Sequence, residues 1–423
     1  MKRVLNVGLI GFGMIGKVHA FGYATLPYYA PGLDVGGKIV AVATSRLETA
    51  ERAKEILQCR NAYDDYRKIV ADPSIDVVHI CTPNAEHLPA LIAAIRANKH
   101  IYCEKPIVSN AEEAARLREV LNERDSNGEF AYRGVGRVAF HLRGFAAIRR
   151  AKELIDAGRL GQILQYRVGY YHSSMTDPTA PLRWKHGASG GTILDLASHL
   201  LDLVDYLIGL PSELLAQSTT MCERRPTSAG SPTSGAVLAE DAVTVMTRGL
   251  REARRTPRTA CTKAYEYAES LDADESTMPL AVADARSRRA LTGVVEATKL
   301  SSGSEDELRL EISGSRGSLR FSLMDPHYLE YFDATIAPGR NGGDFGWKRI
   351  ACGARYEFPE SEFPSPKSTT GWIRAHVASL AAFYHAIGGG ASVGADFHQA
   401  LRVQDALDAV KRSAEERTWI KTF

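Results

Sequence analysis

The 423-residue sequence lacks the features that mark membrane proteins and nucleic-acid-binding proteins. It contains no run of about twenty apolar residues, so we expect no segment that spans a bilayer. It has no excess of either charge, because 52 Lys and Arg face 50 Asp and Glu and the net charge is +2. Such a balance creates no strong field for nucleic acid or an anionic membrane surface. The sequence therefore predicts a protein with no nucleic-acid partner and no membrane partner.

Cysteine is scarce and scattered, with six residues and no CxxC pair. This pattern indicates neither a zinc ribbon nor a thioredoxin-like site. Cys81 and Cys103 lie in apolar, strand-like runs and are expected to pack as small hydrophobic side chains. The apolar run in MKRVLNVGLIGFG ends in glycines after a few residues, which favours a buried strand over a signal peptide. Together these features predict a reducing, cytoplasmic location.

The chain is long enough for two domains. Residues 1–143 alternate strand-like and helix-like segments, from VLNVGLIGFG to RGVGRVAFHL. Apolar strands that alternate with helices predict a parallel sheet with both faces covered, as in a Rossmann dinucleotide-binding domain. The predicted fold class is therefore α/β.

The pattern changes in residues 144–423, which we predict to form a second domain. Segments such as QILQYRVGYYH and ELRLEISG alternate apolar and polar residues, as strands of an antiparallel sheet with one wet face do. Residues 223–288 interrupt this pattern with loop-like and polar sequence. We expect a partly mobile insertion there.

A glycine-rich turn follows the first predicted strand. Gly11, Gly13 and Gly16 have the GxGxxG spacing, and the segment closes a strand and opens a helix. Gly11 would permit the tight turn, Gly13 would let the backbone approach a pyrophosphate, and Gly16 would let helix and strand pack closely. With Met14 and Ile15 between them, these residues form the predicted dinucleotide-binding site at a helix N-terminus.

The end of the second strand bears on the choice between NAD and NADP. An acid at this point commonly binds the adenosine ribose of NAD, but the segment AVATSR ends in Thr44, Ser45 and Arg46. Ser45 could bond a 2′-phosphate, and Arg46 could pair with it or stack on adenine. This favours NADP, although both residues could lie on a solvated loop and NAD can bind without the acid.

Two further strand ends carry polar side chains where such sheets bind ligands. In CTPNAEH, Thr82 and Asn84 could bond the ribose or diphosphate, and His87 is either a cofactor contact or a residue that starts a helix. In YCEKP, Glu104 and Lys105 end the next strand, and Glu104 is a further candidate for a cofactor contact. A lysine in a cofactor cleft can hold a substrate hydroxyl and stabilise developing oxyanion charge, whereas most lysines are simply exposed. The proline after Lys105 makes a cis peptide bond possible.

The segment GGTILDLASHLLDL places Asp195, His199 and Asp202 four and then three residues apart. On a helix this spacing puts the three side chains on one face. Such a set could bind a metal, form a buried polar network or move a proton, and the residue types alone do not choose between these.

GLIGFGMIGKVHA, CTPNAEH, CEKP and GGTILDLASHLLDL occur in an order and at distances that resemble the Gfo/Idh/MocA family, named for glucose–fructose oxidoreductase and inositol dehydrogenase. The resemblance spans the chain and implies a Rossmann domain followed by an α/β domain with a large open, mostly antiparallel sheet. It implies an NAD(P)-dependent dehydrogenase that acts on a small carbohydrate, a sugar or polyol. Lys105, Asp195 and His199 match the family's catalytic residues, with His199 as acid/base, so no metal is expected. Asp202 would then orient His199.

Other segments suggest a substrate site by the same resemblance. PLRWKHG is similar to a substrate loop of the family, and Trp184 is a candidate substrate contact in it. Arg183, Lys185 and His186 could face an anionic sugar or form a solvated basic loop. His141, which ends VAFH, is a further substrate-contact candidate.

Two other functions stay open at this stage. Some relatives are redox glycosidases, which oxidise a sugar transiently, eliminate the aglycone and show no net cofactor reduction. Other relatives are sensors that bind dinucleotide without catalysis, although retention of Lys105, Asp195 and His199 argues against a sensor. The family resemblance also implies a homodimer or homotetramer that pairs through the open sheet.

Overall fold

The computed structural model describes most of the chain and divides it into two compact units. The described residues are 3–250, 291–356, 361, 363–369, 371–391 and 394–422. Unit 1 comprises Met1–Phe145 and Ala354–Gln404, and unit 2 comprises Ala146–Gly353 and Asp405–Phe423.

Unit 1 is built on a parallel sheet of six strands. These strands are β1 Arg3–Ile10, β2 Val35–Ala43, β3 Asn61–Tyr63, β4 Val77–Ile80, β5 His100–Cys103 and β6 Gly136–Val138. Their order is β3-β2-β1-β4-β5-β6, which confirms the predicted Rossmann sheet. All four residues of β4 are buried, as expected for a strand covered on both faces. The order reverses between β1 and β4, where open α/β sheets bind ligands at the carboxyl ends of the strands.

The helices follow the sequence pattern closely. Those of the described residues are α1 Met14–Tyr29, α2 Leu47–Leu57, α3 Tyr66–Ala71, α4 His87–Arg96, α5 Ala111–Leu121, α6 Ala146–Asp156, α7 Ser198–Leu207, α8 Trp372–Ile387 and α9 Phe397–Glu416. Asn110 caps α5 by accepting a hydrogen bond from Glu113 N at 2.9 Å. Across the described ranges, no helix combines the length and the apolar character needed to cross a membrane.

Unit 2 contains a nine-stranded sheet and a separate two-stranded sheet. The strands of this unit are β7 Ile163–Tyr171, β8 Pro211–Thr219, β9 Arg224–Pro226, β10 Ser234–Ala236, β11 Ala242–Leu250, β12 Thr292–Thr298, β13 Glu307–Gly314, β14 Gly317–Ser322, β15 Tyr328–Asp333, β16 Trp347–Ala351 and β17 Ile420–Lys421. The large sheet has the order β16-β15-β14-β13-β7-β12-β11-β8-β17. Its pairs are antiparallel except for β7 with β12, which confirms a mostly antiparallel sheet.

The described part of the expected insertion is regular structure. Residues 223–250 contain β9 and β10, which pair antiparallel, and the whole of β11, which lies inside the large sheet. This stretch therefore forms a short hairpin despite its loop-like composition. Its turn residues and polar residues suit a small exposed sheet. The rest of the expected insertion, residues 251–288, lies outside the described residues.

A segment from the C-terminal part of the chain belongs to unit 1, although the sequence pattern assigned all of 144–423 to the second domain. Helix α8 packs against α1 and β2. Its Ser379 is hydrogen bonded to Tyr102 of β5 (2.7 Å), and its Tyr384 donates to Tyr23 of α1 (3.3 Å). The helix thus completes the core of the Rossmann sheet, a role that its local sequence does not reveal.

Candidate functional site

The glycine-rich turn after β1 is shaped by backbone contacts. Gly11 has φ of +92°, in the left-handed region that favours glycine, and a Cβ there would lie 2.6 Å from the backbone oxygen of Cys81. A Cβ on Gly16 would lie 2.4 Å from the backbone oxygen of Gly11. The turn, the start of α1 and the segment after β4 therefore approach each other at distances that only glycine allows.

The middle glycine of the motif faces open space. No heavy atom lies within 4 Å of a Cβ built on Gly13, among the described residues. Gly13 is the N-cap of α1, and no side chain of the described residues caps that end. The first N–H groups of α1 are thus left for an anion, and Met14 beside them is 71% exposed. This cradle fits the pyrophosphate of a dinucleotide.

The segment after β2 presents two exposed side chains. Thr44 Oγ1 bonds the backbone oxygen of Arg46 (2.9 Å) and Thr49 Oγ1 (2.6 Å), which fixes the turn into α2. Ser45 and Arg46 are both exposed. Within the described ranges Arg46 has no carboxylate partner, so its guanidinium is available for a ligand.

The segment after β4 contains a buried hydroxyl and a structural histidine. Thr82 Oγ1 is buried and has no hydrogen-bond partner among the described residues, which is costly unless a ligand or water supplies one. Asn84, 7% exposed, begins a short 3₁₀ turn. His87 is fully buried, and its Nδ1 and Nε2 face the backbone oxygens of Pro106 (2.8 Å) and Thr82 (3.0 Å). His87 therefore ties two loops together instead of pointing toward a ligand, which corrects the expectation of a direct cofactor contact.

The segment after β5 holds Glu104 inside unit 1. His19 Nε2 donates to Glu104 Oε1 at 2.7 Å, and Glu104 Oε2 accepts the backbone N–H of Lys105 at 3.1 Å. Glu104 is 6% exposed, whereas Lys105 is half-buried. The Lys105–Pro106 peptide bond is cis, as the sequence suggested. The His19–Glu104 pair thus fixes the backbone from which the Lys105 side chain extends.

Unit 1 contains a buried cluster of imidazoles that sequence reasoning missed, except for His141. The rings of His19 and His79 have centroids 4.7 Å apart, those of His19 and His376 lie 5.3 Å apart, and His141 stacks on His376 at 3.9 Å. Burial holds the pKa of His79 and of His376 well below the usual histidine value, so both rings are neutral at pH 7. His141 is only 4% exposed.

This cluster contains ligand types that metals use, but its closest contact is a hydrogen bond. Ligand atoms of His19, Glu104 and His376 lie within 4.8 Å of one another. In a tetrahedral zinc site with bonds of about 2.0 Å, two ligand atoms are about 3.3 Å apart. His19 Nε2 and Glu104 Oε1 are 2.7 Å apart, which fits direct bonding between them.

Unit 2 carries Asp195 in the helical turn that leads into α7 and His199 in the first turn of α7. Residues Ile193–Ala197 form a π-helical turn before the regular α-helix begins, a departure from the uninterrupted helix that the spacing predicts. Such turns are frequent at functional sites. The Asp195 side chain is 17% exposed, His199 is 4% exposed and Asp202 is 1% exposed.

Two lysines converge on one oxygen of Asp195. Lys185 Nζ lies 2.7 Å and Lys299 Nζ 3.0 Å from Asp195 Oδ2. The Lys185 side chain is 38% exposed, whereas that of Lys299 is 3% exposed. Asp195 is therefore held as a carboxylate by one surface cation and one buried cation.

Aromatic and acidic groups lie beside His199. The Tyr170 and His199 ring centroids are 6.1 Å apart, and Tyr170 donates a hydrogen bond to Asp306 Oδ1 at 2.6 Å. Burial, together with Asp306 and Asp195, raises the pKa of Tyr170 well above its usual value. Burial opposes ionisation of Asp306, but hydrogen bonds from His172 and Tyr170 outweigh it and lower the Asp306 pKa. Tyr170 is thus a neutral hydroxyl at pH 7.

A half-buried carboxyl group anchors the helical segment. Glu240 Oε1 accepts the backbone N–H of Ile193 at 2.6 Å, and the Glu240 backbone oxygen accepts Thr192 N at 3.0 Å. Burial raises the pKa of Glu240, against the lowering effect of the hydrogen bond from Ile193 N. Glu240 therefore fixes the turn that carries Asp195.

Some basic side chains of the predicted substrate loop bond other residues of the chain. Arg183 and Trp184 are exposed, and Lys185 bonds Asp195. His186 is 3% exposed, accepts Arg183 N at its Nδ1 (2.8 Å) and contacts Met175 Sδ through its Nε2 (3.1 Å). The structure thus brings Lys185 to Asp195, within unit 2.

Comparisons with known proteins agree with this geometry. Residues 5–127 match the oxidoreductase family with an NAD-binding Rossmann fold, residues 148–320 match the GFO/IDH/MocA C-terminal domain, and residues 280–422 match the oxidoreductase-family C-terminal alpha/beta domain. The chain is 32% identical over 422 residues to levoglucosan dehydrogenase of Pseudarthrobacter phenanthrenivorans, covering 98% of this chain and 97% of the relative. The chain belongs to the Gfo/Idh/MocA oxidoreductase family.

Other members of the Gfo/Idh/MocA family support this assignment. The chain is 30% identical to scyllo-inositol 2-dehydrogenase (NADP(+)) of Bacillus subtilis over 231 residues, 53% of this chain and 57% of that relative. A solved structure of levoglucosan dehydrogenase, in complex with NADH and levoglucosan, matches with a TM-score of 0.82 and 28% identity over 99% of each chain. These findings confirm the family resemblance, the fold class and an NAD(P)-dependent dehydrogenase.

Sequence reasoning missed Lys299, although a signal for it exists. In β12 and the residues around it, positions 291, 293, 295 and 297 are buried and alternate with less buried ones. Lys299 continues this inward series, and an inward lysine requires an acidic partner. The alternation marks the position, but it does not identify Asp195 as the partner.

Proposed function

We propose that this Gfo/Idh/MocA protein oxidises a hydroxyl carbon of a neutral sugar, with an anhydro sugar such as levoglucosan as the first candidate substrate. The observation that carries the proposal is the similarity to levoglucosan dehydrogenase over 98% of this chain and 97% of that relative. It is supported by the buried pairing of Asp195 and by the neighbouring His199, which supply the acid/base chemistry that such an oxidation requires.

The roles of the chain's own residues follow from their chemistry. Unit 1 would hold the dinucleotide through the Gly13 cradle, the uncapped start of α1 and the Thr82 hydroxyl. When bound, an oxidised nicotinamide supplies the two-electron acceptor. We propose that His199 takes the hydroxyl proton, that Asp195 orients the hydroxyl, and that Lys105 stabilises negative charge on its oxygen.

The contacts of the basic loop favour a neutral substrate over an anionic one. Lys185 is already paired with Asp195, and His186 is buried with its ring nitrogens engaged. Burial also lowers the pKa of His186, so this ring adds no charge at pH 7. Three basic residues were predicted to face an anion, and two of them, Lys185 and His186, are engaged within the chain. The third, Arg183, is exposed to solvent.

For the cofactor, we propose that NADP is used at least as well as NAD. Support comes from Ser45 and Arg46, which are exposed just after β2. Position 44 is threonine and not the acidic residue that commonly binds the adenosine ribose of NAD. Arg46→Ala should weaken NADP binding selectively, because the guanidinium would pair with a 2′-phosphate that NAD does not carry.

We also propose a homodimer or homotetramer that pairs through the outer face of the nine-stranded sheet. This face carries a shallow cavity of about 450 Å³, lined in part by Arg167, Arg309, Glu311 and Arg320. Alternating acidic and basic side chains on a two-fold interface can pair with their copies. Light scattering in solution measures the assembly.

The experiment follows absorbance of reduced nicotinamide with levoglucosan, other neutral sugars, polyols, uronates and glycosides, each with NAD or NADP. Wild type is compared with Lys105→Ala, Asp195→Asn and the control Lys152→Met, which removes a half-buried helical lysine paired with the exposed Asp156. We expect sustained cofactor reduction with a neutral sugar, a loss of at least about a hundredfold in both site variants, and no change in the control.

Three results would contradict the proposal. A preference for uronates would refute the neutral substrate. Glycoside cleavage that needs the cofactor but yields no net reduction would favour the redox glycosidase. Dinucleotide binding without turnover of any substrate would favour the sensor.

A further inference from the structure

Lys299 occupies a position that is unusual for a lysine. It follows β12 directly, on the side of the strand that faces the interior of unit 2, and it is 3% exposed. Its backbone is held on both sides, since Lys299 N donates to Asp241 O (2.8 Å) and Lys299 O accepts Met175 N (3.0 Å). The side chain therefore starts from a rigid point, and its ammonium reaches Asp195 Oδ2 at 3.0 Å.

The two lysines at Asp195 are not equivalent energetically. Lys185 extends from a loop with 38% of its side chain exposed, and exposed ion pairs contribute little because water and salt screen them. Lys299 is buried, and removing one partner of a buried pair leaves an uncompensated charge, which is strongly destabilising. Lys299 is thus the constant partner of Asp195, whereas Lys185 can exchange with solvent.

We propose that Lys299 is a positioning residue for the reaction, one that holds the Asp195 carboxylate ionised and fixed in orientation while Lys185 is the exchangeable partner. The inference rests on the proposed function in one respect, the catalytic role of Asp195. It adds to Asp195 and His199 of unit 2 a positioning residue that directly follows a strand and does not belong to the helical segment.

The groups that face Asp195 come from several elements. Lys185 approaches from the preceding loop, Lys299 from the end of β12, and Tyr170 from β7 acts on the same carboxylate at longer range. His199 lies on the same helical segment, and Glu240 bonds its first turn. When Lys299 is replaced, Asp195 therefore still has the cation of Lys185 and the neutral hydroxyl of Tyr170 near it.

The primary test measures the titration of Asp195 directly, by carbon NMR of protein with labelled aspartate carboxyl groups. The Asp195 signal is identified by its loss in Asp195→Asn. We expect Lys299→Met to raise the Asp195 midpoint by about one to three pH units, because an opposite charge within hydrogen-bond distance lowers a carboxyl pKa by that amount. Lys299→Arg should restore the midpoint, and Lys152→Met, which breaks the pair with Asp156 in the same unit, should not change it.

A second readout uses turnover of the best sugar from the substrate screen. Lys299→Met should lower kcat at least about tenfold with little change in KM, since a displaced catalytic group affects the chemical step more than binding. The double variant Asp195→Asn/Lys299→Met should be no slower than Asp195→Asn alone, because Lys299 acts through Asp195.

If Lys299→Met does not fold, unchanged protein still provides a test. The Asp195 midpoint should move by less than about half a pH unit between about 0.05 and 1 M salt, since a buried pair is poorly screened. A large salt shift, or an unchanged midpoint in a folded Lys299→Met variant, would overturn the proposal. Full activity of Asp195→Asn would instead refute the proposed function and leave the NMR result for the pair intact.

Discussion

Alanine substitutions in the glycine-rich turn can distinguish the glycine that the fold requires from the glycine that cofactor binding requires. Gly13 and Gly16 are both replaced by alanine, in separate variants. A Cβ on Gly16 would lie 2.4 Å from the backbone oxygen of Gly11, whereas a Cβ on Gly13 meets no heavy atom within 4 Å among the described residues. The same chemical change is therefore expected to damage stability at one position and cofactor binding at the other.

The magnitudes follow from these contacts. At Gly16 the obstacle is backbone and cannot rotate away, so we expect the cost of an overpacked core, about 1–3 kcal/mol. In a unit of roughly 200 residues this lowers Tm by about 2–12 °C. Gly13 has φ of −73°, which alanine adopts freely. There the loss of a good N-cap residue, about 0.5–1 kcal/mol, is offset by a less flexible unfolded chain, about 0.4–1 kcal/mol.

The assays are thermal unfolding without cofactor and titration of NADH or NADPH fluorescence. Gly13→Ala should unfold within about 2 °C of wild type and bind the dinucleotide at least about tenfold more weakly, which corresponds to about 1.4 kcal/mol. Gly16→Ala should show the fall in Tm. If Gly13→Ala binds the cofactor as wild type does, the assignment of the cradle is wrong. If the two variants lose equal stability, the packing argument is wrong.

Two further predictions concern pH and stability, measured by urea unfolding. Burial raises the Glu240 pKa, so its stabilising contribution is present below the usual Glu pKa and is lost as pH rises through the folded value. Glu240→Gln should therefore be at least as stable as wild type at pH 7, whereas Glu240→Ala, which loses the acceptor for Ile193 N, should be about 1–3 kcal/mol less stable; equal losses would contradict this. Burial and then His19 lower the His79 pKa, so its contribution is present above about pH 6.5 and is lost as pH falls through the folded value. His79→Gln should lose less stability than wild type on acidification from pH 7.5 to pH 5, and an equal loss would show that His79 does not cause the acid sensitivity.

Local patterns predicted much of the fold and part of the site. The strand–helix alternation of residues 1–143 predicted the parallel sheet, because apolar strands and amphipathic helices depend on neighbours along the chain. The glycine spacing predicted the turn after β1, because Gly11 and Gly16 answer backbone requirements within that turn. The sequence did not predict the contacts of His87 and Lys185, because a histidine or lysine near a loop can face a ligand or bond another part of the protein with equal ease.

By itself, the sequence determined the family, the Rossmann sheet, the glycine-rich turn after β1 and the residue types available for acid/base chemistry, all of which follow from periodicity and short motifs. Only the tertiary structure decided that Ala354–Gln404 joins unit 1, that Glu240 anchors the turn before α7, and that Lys299 meets Asp195. The physical reason is that periodicity tells which side of a strand or helix is buried, but it carries no information on which distant side chain lies opposite. A buried charge needs a specific partner, and that partner is chosen by how the sheet and the helical segment pack.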